Sequence, residues 1–306
     1  MTNSAVDNQT ITLAVTGGTG FIARGVYDLM ATSNLMVRAL SRGDRPEWAP
    51  PRVKWRTVTS YSDPDDLADG LKGASHVLHL ADSPERTDLR SGAEALRNAD
   101  ALIHAMRRNR IERIAIASSV YARNSDAGEG SYAAVKRTVE GRFLGASDLR
   151  AIVLRLPPVY GPGGKGGLAT LSSLVARGFP LPLGAARAPR AYLSRRNFAS
   201  LVLALVNADE AHWNAAAGRI FEPSDGQAVA TRDLIGMMAA QLGRQPRLLP
   251  VPLVLLRAIG VVVGRSEMIA GATEALEVAG ADEMVGFFGW LPEEQMPQSL
   301  SFLKDR

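Results

Sequence analysis

The first predicted strand and the turn after it constrain the fold of this chain more than any other stretch. Residues 11–16 form an apolar, uncharged run, which is typical of a buried parallel strand. Small residues follow, and then an amphipathic stretch from Phe21 to Met30. Gly17 permits the tight turn, and Gly20 lets the main chain approach a pyrophosphate at the N-terminus of the helix. The order of strand, glycine turn and helix predicts the phosphate-binding corner of a dinucleotide fold, with Ala23 in place of the usual third glycine.

Composition fits a globular protein that binds a small molecule. The chain has 35 basic and 31 acidic residues, a net charge of +4, and the basic residues are scattered, which argues against nucleic acid and fits an anionic ligand. Cysteine is absent, so the chain has no disulfide, thiolate metal site or cysteine nucleophile. The polar first ten residues lack the apolar core of a signal peptide, and the apolar window 251–264 is too short to span a bilayer. We therefore expect a cytoplasmic protein without a metal and without a nucleic-acid or membrane partner.

The residues after the second predicted strand bear on the choice of dinucleotide. This strand, 35–40, is followed by Ser41 and Arg42, and no acidic residue precedes Asp44. At this position an acidic residue binds the free ribose 2′-hydroxyl of NAD, whereas an arginine accommodates the 2′-phosphate of NADP. NADP(H) is therefore favoured, and NAD(H) stays open because Asp44 could serve it.

A tyrosine and a lysine four residues apart form the candidate catalytic pair. The fifth predicted strand, 113–117, ends in Ser118 and Ser119, and Tyr132 and Lys136 begin a helix after a loop rich in Gly, Ser and Asp. A spacing of four places the pair on one helical face, where the lysine can stabilise the tyrosinate. A hydroxyl at the end of the strand would bind the substrate oxygen. Together these groups indicate a proton donor beside a hydride-transferring cofactor.

Predicted strands and helices alternate as far as residue 156, which indicates a doubly wound parallel α/β sheet. One of these helices begins with Asp63 as its cap and Pro64 in its first turn. Beyond residue 156 the pattern loosens. The remaining predicted helices cover 168–177, 197–206, the stretch from a Thr231 cap to residue 242, and the apolar stretch 248–264.

Several motifs together resemble the extended short-chain dehydrogenase/reductases. They are TGGTGFIA at 16–23, HLA at 79–81, Ser118-Ser119, Tyr132-x-x-x-Lys136, LRLPPVYGP at 154–162 and FGWLP at 288–292. The stretches 178–184 and 247–252 are similar to a narrower branch, the bacterial nucleotide-sugar 4-ketoreductases and epimerases. The resemblance implies a Rossmann-type doubly wound parallel sheet with a smaller C-terminal α/β substrate-binding lobe. The expected dinucleotide-binding domain comprises 1–165 and 192–223, and the expected substrate-binding lobe comprises 166–191 and 224–306.

The resemblance implies a role for each matching residue. The residues that it implies bind the cofactor are Gly17, Gly20, Phe21, Ile22, Arg42, Leu80, Ala81, Tyr132, Lys136 and Pro157. In catalysis Tyr132 would be the general acid, Lys136 its partner, and Ser119 the hydroxyl that orients the carbonyl, with Ser118 as the alternative. The residues that it implies bind the substrate are Ser118, Tyr160 and Arg190. The planar guanidinium of Arg190 would bind a substrate phosphate through two hydrogen bonds.

The chain departs from the family mainly at positions that contact the substrate. Gly166-Gly167 stands where the family has Gly-Asn, Ser60 stands at the usual acidic residue after the third strand, and Arg195-Arg196-Asn197 replaces Val-Asp-Asn. The cofactor half of the pattern is therefore better supported than the substrate half.

Three functions remain open on this basis. The first is an NADP(H)-dependent reductase of a keto group, with a nucleoside-diphosphate 4-keto sugar as the preferred substrate. The second is an NAD-dependent nucleotide-sugar 4-epimerase, and the third is a non-catalytic dinucleotide-binding sensor or assembly protein. Dehydration is disfavoured because Val120-Tyr121 replaces the acidic pair that the family uses. The resemblance also implies a homodimer formed by helices around 91–109 and 131–145.

Overall fold

The computed structural model of the chain describes residues 11–31, 33–81, 89–128, 130–278 and 281–304. The chain divides into two units: a first unit up to residue 155 that also includes 202–220, and a second unit of 156–201 and 221 onward. The assignment of cofactor binding to one domain and substrate binding to another stays a prediction.

The described residues form nine strands and eleven α-helices. The strands are β1 (Thr12–Thr16), β2 (Met36–Ser41), β3 (Lys54–Thr57), β4 (His76–His79), β5 (Arg113–Ser119), β6 (Arg150–Leu156), β7 (Val159–Tyr160), β8 (Leu193–Ser194) and β9 (Ile220–Phe221). The helices are α1 (Phe21–Asp28), α2 (Pro64–Leu71), α3 (Leu89–Arg108), α4 (Tyr132–Leu144), α5 (Gly167–Ala176), α6 (Arg195–Asn207), α7 (Glu210–Ala216), α8 (Thr231–Gln241), α9 (Leu253–Val262), α10 (Ser266–Thr273) and α11 (Ala281–Phe288).

Seven of the strands form one sheet in the order β3-β2-β1-β4-β5-β6-β9. Strand β1 pairs in parallel with β2 and with β4, so that Val15 lies opposite Ala39 on one side and Leu78 on the other. The pairs β2–β3 and β4–β5 are also parallel. Strand order reverses at β1, and ligands of such sheets bind beside the carboxyl ends of the strands at this point. The predicted Rossmann-type parallel sheet is confirmed.

The sheet of the first unit is buried by helices α2, α3 and α4. Leu67 of α2, Leu102 and Met106 of α3 and Phe143 of α4 belong to one apolar core and are almost completely buried. Helix α2 begins as predicted, since the Asp63 side chain accepts hydrogen bonds from the main-chain N–H groups of the first turn.

The structure differs from the sequence predictions mainly in the second unit. The apolar stretch 248–264 is helical only from Leu253, because Pro252 occupies the cap position of α9 and residues before proline are biased away from helix. Thr231 is the first residue of α8 and not its cap, which is Ala230. The short strands β7 and β8 and the short helices α7, α10 and α11 were not predicted. Among the described helices, none combines the length and the apolar character that crossing a membrane requires.

Candidate functional site

The glycine turn after β1 lies against the end of β4. Gly17 has a φ of +71°, and a Cβ atom there would lie 2.9 Å from the Ala81 nitrogen and from the Leu80 carbonyl. The turn is closed by the N–H of Gly20, which donates to the Gly17 carbonyl at 2.8 Å. Only glycine tolerates both the positive φ and the close approach of main chain at position 17.

The end of β4 is held by a threonine beneath the glycine turn. The Thr16 hydroxyl oxygen accepts hydrogen bonds from the N–H groups of Leu80 and Ala81, each at 3.2 Å. The same oxygen lies 2.8 Å from Nδ1 of the buried His79. These bonds fix the main chain of two residues that the family resemblance places along the cofactor.

The N-terminus of α1 is arranged to receive an anion. Its cap residue is Gly20, which has extended backbone and, as a glycine, no side chain that could cap the first turn. Ala23 is fully buried one turn into the helix. Main-chain N–H groups and the helix dipole favour a phosphate at such an end, and Gly20 has no side chain to obstruct it. This cradle fits the pyrophosphate of a dinucleotide.

A cavity of about 600 Å³ opens beside this turn, within the first unit. Its volume lies within the range of about 300–1,000 Å³ that is typical of small-molecule sites. The predicted site residues that line it are Gly17, Gly20, Arg42, Leu80, Ala81, Ser118, Tyr132 and Lys136. The predicted residues Phe21, Ile22 and Ser119 are not part of its lining.

One end of the cavity is formed by the residues after β2. Ser41, Arg42 and Gly43 line it, and the Ser41 hydroxyl accepts a hydrogen bond from the Gly43 N–H at 3.2 Å. Arg42 is exposed, and its Cζ atom lies 5.9 Å from the centre of the Tyr61 ring. Asp44 is exposed and does not line the cavity. The charged group that the β2 end presents to the cavity is therefore a guanidinium.

Tyr61 is a lining residue that the sequence analysis missed. Its hydroxyl donates to the Leu40 carbonyl and accepts from the Gly17 N–H, both at 2.8 Å. Burial raises the pKa of Tyr61, although the hydrogen bond from Gly17 and the charge of Arg42 act in the opposite direction. Its position directly after Ser60, where the family pattern expects an acidic residue, was the available signal.

The tyrosine–lysine pair also lines the cavity. Helix α4 begins at Tyr132, because the Ser131 hydroxyl caps it by accepting from the Ala134 N–H at 3.2 Å. Lys136 is buried, and its Nζ atom lies 5.6 Å from the centre of the Tyr132 ring. The structure thus brings the two side chains to one face of α4 and to the same cavity, as their spacing predicts.

The two serines that end β5 have different surroundings. Ser118 lines the cavity, and its hydroxyl donates a 2.5 Å hydrogen bond to Oε1 of Glu140. The Ser119 hydroxyl accepts from the Tyr121 N–H at 3.3 Å and caps the short 3₁₀ helix that follows β5. Successive side chains of a strand point to opposite faces, which explains the difference. The geometry favours Ser118 over Ser119 as the hydroxyl beside Tyr132, and the catalytic role of either stays a prediction.

Glu140 connects the cavity to a buried ion pair. It is 3% exposed and receives two hydrogen bonds from Arg155, Nε to Oε1 at 3.0 Å and Nη2 to Oε2 at 2.6 Å. With the bond from Ser118, both carboxylate oxygens are engaged. Sequence reasoning missed this pair, although Glu140 lies four residues after Lys136 and so on the same helical face.

The remaining predicted site residues belong to the second unit. Arg190 is buried, pairs through its main chain with Val229, and donates from its guanidinium to the Glu274 carbonyl. Tyr160 is buried, and its hydroxyl donates to Asp225 Oδ2 at 2.6 Å; burial raises the pKa of both groups. Pro157 follows β6 and is also buried. The substrate and cofactor roles of these three residues stay predictions. No group of three or more potential metal ligands occurs among the residues that the structure describes.

Comparison with known proteins identifies the family of the chain. The model of the NAD dependent epimerase/dehydratase family matches residues 13–216, about two thirds of the chain. A UDP-glucose 4-epimerase of Vibrio cholerae is 27% identical over 179 residues, which cover 57% of this chain and 53% of that protein. A ceramide reductase of Caulobacter vibrioides is 32% identical over 185 residues, covering 56% of this chain and 53% of that protein. The matched part of the chain therefore spans about half the length of each relative.

The fold also matches solved structures along almost the whole chain. The Thermus thermophilus UDP-glucose 4-epimerase in complex with NAD superposes with a TM-score of 0.68 at 22% identity. The superposition covers 96% of this chain and 98% of that one. At this identity the likeness concerns the fold alone.

Proposed function

The chain belongs to the NAD-dependent epimerase/dehydratase family, and from this premise we propose that it transfers hydride between a nicotinamide dinucleotide, preferably NADP(H), and a keto group. One observation carries the proposal. A single cavity of the first unit is lined by the glycine turn, by Arg42 and by the pair Tyr132 and Lys136. These are the groups needed to bind a dinucleotide and to deliver a proton.

In the proposed reaction the residues of the cavity have distinct roles. Gly17 and Gly20 receive the pyrophosphate, and Arg42 pairs with a 2′-phosphate. The bound dinucleotide supplies the hydride. Tyr132 gives a proton to the substrate oxygen, and Lys136 stabilises the tyrosinate that results. In the reverse direction the tyrosinate takes the proton back, so the same residues serve reduction and oxidation.

The preferred substrate is a nucleoside-diphosphate 4-keto sugar, in agreement with the epimerase named among the relatives. The second relative is named a ceramide reductase, which supports net reduction as one outcome of hydride transfer in proteins similar to this chain. A 4-epimerase that keeps NAD bound and reoxidises its substrate is the alternative, and a non-catalytic dinucleotide-binding protein is the third reading. The homodimer and the cytoplasmic location stay predictions.

The lining at the carboxyl end of β2 supports the reductase over the epimerase. Arg42 lines the cavity here and Asp44 does not, so a guanidinium is available to pair with a 2′-phosphate. This arrangement supports a dissociable NADP(H) over a permanently held NAD.

The proposal is tested by measuring the binding of NADPH and NADH to the purified chain. The chain's four tryptophans provide a fluorescence signal. We expect NADPH to bind more tightly, and Arg42→Ala to lose about 10- to 100-fold in NADPH affinity with little change for NADH, as for a lost charge-assisted hydrogen bond. Arg52→Ala is the matched control, because Arg52 is exposed and does not line the cavity. NAD retained through purification would support the epimerase instead, and failure to bind either dinucleotide would refute the proposal.

A further inference from the structure

Helix α9 is apolar on nearly all sides, and most of it is exposed. Within the helix only Leu256 and Gly260 are buried, whereas Val254 is 80% exposed and Val262 is 86% exposed. The exposed large apolar residues of this region, which we call the α9 patch, are Leu249, Val254, Leu255, Ile259, Val261, Val262, Val263 and Met268. A concentration of exposed large apolar residues in one segment is typical of an interaction site in a folded protein.

The buried side of α9 packs against the neighbouring helix α10. A Cβ atom at Gly260 would lie 2.5 Å from Ile269 Cδ1 and 3.5 Å from the Ser266 Cα atom. Gly260 therefore lets the two helices approach closely, and Ile269 is itself buried in the contact. Because this contact uses the side of α9 that carries Leu256 and Gly260, the α9 patch is left facing solvent.

The charges around the α9 patch are predominantly positive. Between residues 244 and 268 the charged residues are Arg244, Arg247, Arg257, Arg265 and Glu267, all of them exposed. With Glu274, which pairs with Arg257, these are four arginines and two glutamates, a net charge of +2. Arg257 lies 3.6 Å from a carboxylate oxygen of Glu274, which offsets its charge. The surroundings of the patch thus attract anions, and a second copy of the patch would meet it with the same positive charge.

The length of α9 determines whether the helix could span a lipid bilayer. The helix has ten residues, which corresponds to about 15 Å at 1.5 Å per residue. The hydrocarbon core of a bilayer is about 30 Å thick, so α9 cannot cross it. A short apolar helix flanked by arginines instead lies in the interface, with its apolar side chains among the acyl chains and its arginines at anionic headgroups.

We propose that the α9 patch binds the chain peripherally to the surface of a bilayer that contains anionic lipids. The inference is independent of hydride transfer, which requires no membrane. It also changes the expectation from the sequence, which named no membrane partner. The exposure of α9 is the reason for the change, since an apolar stretch in a sequence is equally typical of a buried helix.

Vesicle binding by the full chain, without cofactor, tests the proposal. We expect it to sediment with vesicles of phosphatidylcholine mixed with phosphatidylglycerol, less with pure phosphatidylcholine, and less again in about 1 M salt, where the Debye length is about 3 Å. Val254→Glu and Val262→Glu should each weaken binding by about tenfold or more, because an isopropyl group is no longer buried and a negative charge is added. Leu291→Glu is the matched control, since Leu291 is 60% exposed but lies outside the patch.

The absence of cysteine makes a second, local measurement available. A polarity-sensitive dye on Val262→Cys should brighten and become protected from an aqueous quencher when anionic vesicles are added. The same dye on Ser301→Cys, at an exposed polar position, should not respond. Equal responses at the two positions, or vesicle binding unchanged by both glutamates, would overturn the proposal. So would a Val262→Glu variant whose only change is the loss of a dimer, measured by light scattering without lipid.

Discussion

We expect Glu140→Gln to destabilise the first unit strongly. The Glu140 carboxylate is 3% exposed and accepts three hydrogen bonds, one from Ser118 at 2.5 Å and two from Arg155 at 3.0 and 2.6 Å. An amide has a single acceptor oxygen and no charge. The substitution therefore keeps the size of the side chain but leaves the Arg155 guanidinium without its counter-charge.

The size of the effect follows from the burial of both partners. The side chains of Arg155 and Glu140 are 16% and 4% exposed, so little water is available to solvate an unpaired guanidinium. Removing one partner of a buried pair costs about 3–5 kcal/mol. Since typical domains have an unfolding free energy of about 5–15 kcal/mol, this loss is a large fraction of the total.

Urea unfolding at neutral pH, followed by circular dichroism, measures this loss. The control is Asp148→Asn, which breaks an ion pair with Arg107 of similar length, 2.7 Å, whose side chains are about half exposed. We expect the control to lose less than about 1 kcal/mol. Combining Glu140→Gln with Arg155→Met should recover part of the loss, because no unpaired charge then remains. A Glu140→Gln loss no larger than the control's, or a double variant that loses the full sum of its two single changes, would refute the reasoning.

Two further predictions concern pH and catalysis. Burial, and then the charge of Arg113, lower the pKa of His76 from 6.5 to about 4, so the folded chain binds fewer protons than the unfolded one between these values. The stabilisation by neutral His76 is complete above pH 6.5 and falls by about 3 kcal/mol as the pH drops to 4. Thermal unfolding as a function of pH should therefore show a smaller loss of stability between pH 6.5 and 4 for His76→Gln than for the unchanged chain. Equal losses of stability in the two proteins would contradict this assignment. Tyr132→Phe should lower ketone reduction by about 100-fold or more while NADPH affinity stays within about twofold, measured by turnover and by fluorescence titration. Full activity without this hydroxyl would remove Tyr132 from the mechanism.

The parts of the fold that depend on residues close together in the sequence were predictable from the sequence. The structure contains three such local patterns as predicted. They are strand β1, the turn at Gly17, and the start of α2 with Asp63 as its cap and Pro64 in its first turn. In the second unit the strands β7 and β8 have only two residues each, so their periodicity gave no usable signal. The extent of α9 was overestimated because apolar composition outweighed Pro252.

The cavity was predictable where its residues follow one another along the chain. Tyr132 and Lys136 share a helical face, and the family pattern identified Leu80 and Ala81. Tyr61 meets Gly17 across 44 positions of sequence, and Ser118 meets Glu140 across 22. No local pattern encodes such pairings, because they arise from the packing of whole elements on the sheet. The exposure of α9 escaped prediction for the same reason.

The Ser118–Glu140 bond constrains what the strand-end serine can do for the substrate. A hydroxyl carries one proton, and Ser118 donates its proton to Glu140, so toward any further partner it can act only as an acceptor. In this state it suits a substrate in the alcohol form, whose O–H can donate to it. Orienting a carbonyl would require the hydroxyl to turn away from Glu140 and give up a bond to a charged acceptor, which is worth about 1.5–3 kcal/mol. On the proposed mechanism Tyr132 therefore supplies the proton to the carbonyl, and the anchored Ser118 stabilises the alcohol that results.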